Sequence, residues 1–414
     1  MNRLRTTMTG FALAATLAVS CHAADDGARP PATGLIDAFV GGKLLLNLRP
    51  RIEWVEQDGK TENAFAMTNR TLMGWETAPW QGVSVTAQLI DVAHLNGRFN
   101  EGPAASANYP VVADPDNTDI NQLYVDYAGL TGTRIRLGRQ SLKLDNVRFV
   151  GNVEFRQIMQ VFTGLWIENR TVPGLELDYG HFDRVKNIFA QQRQTDIDLF
   201  RAAWTWRPDN VLVGFAYLQD QAVTGQATGF ADNGNRIVGV RANGAWPIGD
   251  WKILYTAEYA SQDAYGGGDR RIDARYQRLG GGVGQGRSFV RLDYDRLGSN
   301  GGQYAFQTPL GTNHLFQGWA DQFLTTPVQG IRDLYLTVAT RWHDLQFQAE
   351  AHDFRSDVAS LRYGSEIDLG VAYPFSSQLT GKVEVARFQE GDVLPGAARK
   401  PDTTRIWVTA TFQW

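Results

Sequence analysis

Residues 403–414 read "TTRIWVTATFQW". Ile406, Val408, Ala410, Phe412 and Trp414 alternate with Arg405, Trp407, Thr409, Thr411 and Gln413, which are mostly polar. Successive side chains of a strand point to opposite faces, so this segment predicts a strand with one apolar face. Chain ends fray unless something holds them. A strand in this place therefore needs a pairing partner, and its apolar face needs something to touch.

The same alternation recurs along the sequence. In "KLLLNLRPRIEW", Leu44, Leu46, Leu48, Pro50, Ile52 and Trp54 share one face, while Lys43, Asn47, Arg49, Arg51 and Glu53 share the other. "WKILYTAEYASQ" sets Trp251, Ile253, Tyr255, Ala257 and Tyr259 against Lys252, Thr256, Glu258 and Gln262. "YGSEIDLGVAYPF" sets Ile367, Leu369, Val371, Tyr373 and Phe375 against Glu366, Asp368 and small residues. A soluble sandwich also alternates, with its apolar face toward a core. Here the apolar faces carry aromatics near strand ends (Trp75, Trp204, Trp206, Trp251, Trp414) and the polar faces carry several full charges per strand. That combination predicts an all-β transmembrane antiparallel barrel with apolar residues toward lipid and charges toward water. Closure follows, because an open edge in lipid would leave backbone groups unpaired. The last strand is thus expected to pair with the first.

Composition agrees. The 43 Gly, 21 Phe, 14 Tyr and 12 Trp suit strands and girdles, and a net charge of −4 offers no basic footprint for nucleic acid. "MNRLRTTMTG", then "FALAATLAVS", then small residues around Cys21 and Ala23 read as a signal peptide over residues 1–23. Residues 24–41 are expected to be a periplasmic leader and residues 42–414 the barrel. Cleavage after Ala23 would leave no cysteine, hence no disulfide. No run of eighteen apolar residues follows, so no membrane helix is expected. The expected location is the outer membrane of a Gram-negative bacterium, in contact with lipid and lipopolysaccharide.

Connections alternate in length. Short turns fall at "ETAPWQG", "LTGT", "TVPG", "RPDN", "PIGD", "HD" and "SSQ", with longer loops between them. Short turns belong on the periplasmic side and long loops outside. The count is about eighteen strands, or sixteen if the weak turn in "GGGVGQGRS" is not one. A barrel of that size encloses an aqueous lumen.

The polar phase of each strand directs Arg49, Arg51, Arg70, Arg134, Arg136, Arg201, Arg241, Arg275, Arg291 and Arg341 inward, with Asp126, Glu258, Asp293 and Glu366 among the acids. The plainer reading of any one of these is cross-strand pairing that solvates the wall. Together they predict an anion-preferring constriction, since the arginine fork suits carboxylates and phosphates. Two loops, "VRFVGNVEFRQIMQVF" and "AFQTPLGTNHLFQGWADQFL", are too apolar to stand in water. Phe149, Phe155 and Phe162 in the first, and Phe306, His314, Phe316, Trp319, Asp321 and Phe323 in the second, are candidates to narrow the mouth. Packing over the rim is the alternative.

"LNLRPRIEWVEQ", "NRTLMGWE", "INQLYVDYAGL", "RIRLGRQSLKLDNVRFVGNVEFRQ", "YGHFDRVKNIF" and "HLFQGWADQF" occur in this order from about residue 40 onward. Together they resemble the alginate-export family of outer-membrane porins. The resemblance implies an eighteen-stranded barrel carrying an anionic polysaccharide through an arginine-lined, acid-flanked pore. By motif it points to Arg51, Arg70 and Arg139. Arg139 shares the phase of Ile135 and Leu137, so it needs a bulge or the strand's end to face water. The resemblance also implies delivery to the barrel-assembly machinery through the strand ending at Trp414.

The leading expectation is therefore a channel for an anionic saccharide or other anionic solute, with no cofactor. The alternative is an uptake porin for small carboxylates or sugars. An outer-membrane hydrolase would need a nucleophile–base set or a carboxylate pair. His94, His181, His314, His343 and His352 show no spacing that suggests a triad or a metal site. A non-conducting barrel would need the two apolar loops to fill the lumen.

Overall fold

A computed structural model of the protein describes residues 31–102, 108–220, 233–391 and 400–414. The expected signal peptide and the first part of the leader lie outside the described residues. So do most of the loops at 221–234 and 392–402.

The described residues form one closed sheet of eighteen antiparallel strands. They are β1 (Lys43–Gln57), β2 (Ala64–Glu76), β3 (Val83–His94), β4 (Asn117–Leu130), β5 (Thr133–Gln140) and β6 (Val161–Asn169). Next come β7 (Leu175–Lys186), β8 (Gln192–Arg207), β9 (Asn210–Asp220), β10 (Asn235–Ile248), β11 (Trp251–Ala264) and β12 (Asp273–Gln285). The last are β13 (Ser288–Leu297), β14 (Ile331–Trp342), β15 (Leu345–Arg355), β16 (Arg362–Pro374), β17 (Leu379–Glu390) and β18 (Thr403–Gln413). Each strand pairs with its sequence neighbours, and β18 closes on β1 from Gln57↔Thr403 to Asn47↔Gln413. The Trp414 N–H donates to the Leu46 carbonyl at 3.0 Å, which seals the seam at its lower end. The uncertain turn is real: Gly286, at φ 57°, joins β12 to β13, a left-handed conformation that glycine adopts without penalty.

Outward positions such as Leu279, Ile367, Leu369 and Leu292 are exposed, and the inward positions between them are buried. This is the inverse of a soluble core and matches a wall that faces hydrocarbon. Exposed tryptophans 204, 206, 246, 251, 342 and 414 sit near the short-turn end and form the expected aromatic girdle. Before β1, a short helix α1 (Leu35–Val40) docks beneath β2, with Trp75 Nε1 donating to the Phe39 carbonyl at 3.0 Å.

Candidate functional site

The upper half of the inner wall is not uniformly polar. Phe182, Phe215, Tyr276, Phe354 and Phe388 all point inward and are buried in one apolar cluster. They form the seat on which two long loops fold into the lumen: L3 (residues 141–160) between β5 and β6, and L7 (residues 298–330) between β13 and β14. Phe149 of L3 lies 5.1 Å from Phe215 and 5.3 Å from Tyr276, centroid to centroid. Phe306 of L7 lies 5.9 Å from Phe149. Phe323 packs between Phe354 (4.8 Å) and Phe388 (5.9 Å). Burial of these rings draws both loops inward, because a loop standing in water would expose them. Phe162 belongs to β6 rather than to the loop, and there it faces Phe182.

The two loops are knitted to each other. Gly151 N donates to the Leu310 carbonyl at 2.9 Å, Gln160 Nε2 donates to the same carbonyl at 2.9 Å, and Val153 N donates to Thr312 Oγ1 at 3.1 Å. Phe155 stacks on His314 with centroids 3.3 Å apart, and both rings abut Trp407 of β18. Arg156 bridges Glu53 of β1 (3.1 Å) and Asp321 of L7 (2.6 Å), and His314 Nδ1 lies 2.8 Å from the other oxygen of Asp321. Arg405 of β18 completes the junction, reaching Glu53 at 2.8 Å and the Ala320 carbonyl at 3.1 Å. Burial by itself would raise the Asp321 carboxyl, but His314, Arg156 and Arg405 outweigh it and hold it well below the usual aspartate range. Arg156 is correspondingly raised: burial opposes its charge, and Glu53, Asp321 and Asp114 more than restore it. Five residues of these loops with side chains hold positive φ: Asp145, Val147, Val153, Gln317 and Asp321. Such backbone persists only where surrounding contacts over-determine it.

Charge on the wall is segregated by arc. Asp293, Asp295, Asp333, Glu350, Glu366 and Asp368 fall on β13–β16, whereas Arg49, Arg51, Arg70 and Arg405 fall on β1, β2 and β18. Other lumen arginines are held by acids. Arg134 and Arg136 both fork onto Asp126, and Arg291 and Arg278 share Asp293. Arg201 spans Asp145 (2.9 Å), Asp178 (2.5 Å) and Glu176 (3.3 Å), and Arg241 reaches Asp145 at 2.9 Å. Arg49 and Arg70 differ. Arg49 donates to Gln157 Oε1 and to the carbonyls of Glu154 and Arg156, all neutral acceptors on L3. Arg70 donates to Asn47 Oδ1 at 2.8 Å, while its Nε and Nη1 are buried without a partner.

Most of the sequence-based candidates thus face the lumen, including Asp126, Glu258, Asp293, Glu366 and Arg341 near the lower rim. Two do not. Arg275 shares the outward phase of Leu279, and it pairs there with Asp263 (3.4 Å) and Asp273 (2.7 Å). The inward phase of β12 instead supplies Tyr276 and Arg278. Arg139 stays in the outward phase of Leu137, opposite Leu123, with no bulge to turn it. At the top of β5 it donates to the Ile120 carbonyl and to Gln192 Oε1. Arg275 lies near a strand end, where the outer face leaves hydrocarbon and tolerates charge, so polarity no longer reports direction; for Arg139 the phase is right and the family motif points the wrong way. Arg148, Arg156 and Arg405 were not singled out from the sequence. The available signal was an arginine set in an otherwise apolar loop or beside an inward tryptophan.

A sequence profile for a family described as "Alginate export" matches residues 63–311. No curated protein matches the chain. Among solved structures, the outer-membrane protein OpdK of Pseudomonas aeruginosa is similar at 14% identity, over 90% of this chain and 99% of that one, with a TM-score of 0.68. OpdK solved with vanillate gives 13% identity, 90% and 98% coverage, and a TM-score of 0.69. OccAB3 of Acinetobacter baumannii gives 13% identity, 90% and 99% coverage, and a TM-score of 0.69. At such identities these likenesses speak for the barrel fold alone.

Proposed function

This chain belongs to the alginate-export family of outer-membrane porins, and on that footing we propose that its lumen conducts anionic solutes bearing carboxylate groups, such as uronate saccharides. The observation that carries this reading is the pair Arg49 and Arg70. Their guanidinium groups lie side by side in register on β1 and β2, and neither is neutralised by a hydrogen-bonded carboxylate. Two forks that no carboxylate hydrogen-bonds, with Glu154 and Asp114 acting on them only through space, lower the energy of an anion and raise that of a cation passing beside them. The joined L3 and L7 set the size limit. Transport is diffusive and requires no chemistry from the wall.

A second reading, uptake of small carboxylates, is supported by the same loops. Joined to each other inside the barrel, they favour a compact solute over a threaded polymer. The similar barrel solved with vanillate, a single-ring carboxylate, is consistent with this size range.

Single-channel recording in a planar bilayer tests both. A reversal potential in a salt gradient that shows anion preference, with block by oligomannuronate, supports the saccharide channel. Anion preference with block by vanillate-sized carboxylates only supports small-solute uptake. Cation preference overturns the role given to Arg49 and Arg70.

A further inference from the structure

His352 of β15 stands inside a ring of carboxylates that no lysine or arginine pairs with among the described residues. Asp333 of β14 takes its Nδ1 at 3.0 Å. Its Nε2 faces Glu350 Oε2 at 3.4 Å and Asp368 Oδ2 at 3.7 Å. Glu366 lies directly opposite His352 in the β15–β16 register. All these side chains point into the lumen wall and are buried. Four carboxylates around one imidazole leave a net negative charge in a dry place, which demands a cation or protons.

The geometry points to a divalent metal, and we propose that Glu350, His352 and Asp368 form a site for a zinc-like cation. Three observations carry it. First, the Nε2 distances are longer than a good N–H···O bond, which lies at about 2.7–3.2 Å. They are close to the edge of a metal tetrahedron, since ligands about 2.0–2.1 Å from zinc sit roughly 3.3–3.5 Å from one another. The three ligand atoms all fall within 4.8 Å of each other. Second, Asp333 on Nδ1 fixes the tautomer that leaves Nε2 a lone pair aimed at Glu350 and Asp368. A carboxylate behind a histidine is the usual support for a metal ligand. Third, Asp368 Oδ1 and Glu366 Oε2 are buried with no hydrogen-bond donor. One imidazole with carboxylates suits zinc, iron or manganese better than calcium.

The site would also act on the constriction. L7 rests on the ligand Asp368, to whose Oδ2 Trp319 N donates at 3.4 Å, and on the neighbouring Glu366, to whose Oε1 Ala320 N donates at 2.6 Å. A bound cation would fix these carboxylates and, through them, the height of L7 in the lumen. Sequence spacing could not show this, because the ligands come from two strands and the supporting acid from a third.

The test is calorimetric titration of the chelator-stripped, membrane-inserted protein with Zn²⁺. One strong site per chain is expected. His352→Ala and Asp368→Asn should each weaken it at least 100-fold, and Asp333→Asn, which changes only the positioning group, about 10- to 100-fold. His181→Ala tests the exposed group of His181, Asp196 and Asp198 on the outer face, and should leave the strong site unchanged. No stoichiometric binding by the wild type would mean a protonated His352 holding its acids, and would overturn the proposal. So would affinity that follows His181 instead. Should the wall variants fail to insert, anomalous diffraction from zinc-soaked wild-type crystals decides. A peak between Glu350, His352 and Asp368 supports the site, and its absence overturns it.

Discussion

Arg156 of L3 and Asp321 of L7 meet at 2.6 Å inside the barrel, beside Glu53 of the wall, with side chains only 5% and 2% exposed. Their contact is the buried ion pair among the bonds that join the two loops into one constriction. Removing one partner leaves the other buried charge with only its remaining partners, Glu53 for Arg156 and His314 for Asp321, which costs part of the roughly 3–5 kcal/mol of breaking a buried pair. The wall itself does not depend on this pair, so the strain is relieved by displacement of the loops. Asp321→Asn should therefore raise single-channel conductance and open-channel noise, while heat-modifiable gel migration still shows a folded barrel. The double variant with Arg156→Met should recover part of the quiet behaviour. Additive effects of the two changes would show that the pair does not couple the loops.

The pH response of the constriction follows from the depressed Asp321 carboxyl. A group whose folded pKa lies below its unfolded value of about 3.9 contributes stability that is present above that value and is lost as pH falls through the folded value. The contribution of Asp321 should thus be constant from pH 8 down to about 4, so the difference in noise between wild type and Asp321→Asn should not change over that range and should shrink only under stronger acid. A transition centred between pH 5 and 7 in wild-type recordings that Asp321→Asn abolishes would contradict this assignment.

Selectivity should reside in Arg70 and Arg49, not in the number of arginines. The interaction of two unit charges about 4 Å apart ranges from about 1 kcal/mol in water to about 4 kcal/mol near a protein surface. Arg70→Gln should accordingly reduce the anion-to-cation permeability ratio by about 5-fold or more. Arg70→Lys keeps the charge and should restore most of the ratio, although it loses the fork needed to hold a carboxylate. Arg275→Gln, on the outer face, should change nothing. Equal effects of Arg70→Gln and Arg275→Gln on reversal potential would remove the wall arginines as the source of selectivity.

The wall was legible because alternation is a property of single strands, and lipid on one side makes it stark. From "TTRIWVTATFQW" follow the last strand, its pairing with the first and its lipid-facing side. What alternation could not convey is how far inward burial goes. Trp407 occupies the polar phase of that strand and lies buried under Phe155 and His314, since the loops supply an apolar environment inside the lumen. Arg275 escapes the pattern where strands emerge from hydrocarbon and both faces become polar, whereas Arg139 obeys its phase and only the family motif places it in the pore. The junction of Glu53, Arg156, Asp321 and Arg405 draws on two strands and two loops more than 350 residues apart at the extremes, and no local pattern encodes such a meeting. The inward-phase aromatics Phe182, Phe215, Tyr276, Phe354 and Phe388 were the available clue, because aromatic residues on a water-facing wall need cover.

L7 approaches the wall closely beside Glu366, at Gly318. Its φ is 81°, and a Cβ there would run into the Glu366 carboxylate. Both facts oppose any side chain: the left-handed backbone costs a residue with a Cβ about 1–2 kcal/mol, and the clash adds to this. Gly318→Ala should lift L7 from Glu366, break the Ala320 N–H to Glu366 contact and widen the lumen. The expected reading is increased conductance, since L7 would no longer be held against Glu366. D-alanine introduced at this position by semisynthesis is the control: it accepts positive φ and points its methyl group to the other side of the backbone, so wild-type conductance is expected. Persistent widening would mean that neither the left-handed backbone nor the clash with Glu366 causes the effect. Unchanged conductance in Gly318→Ala would mean that L7 is not the element that limits the pore.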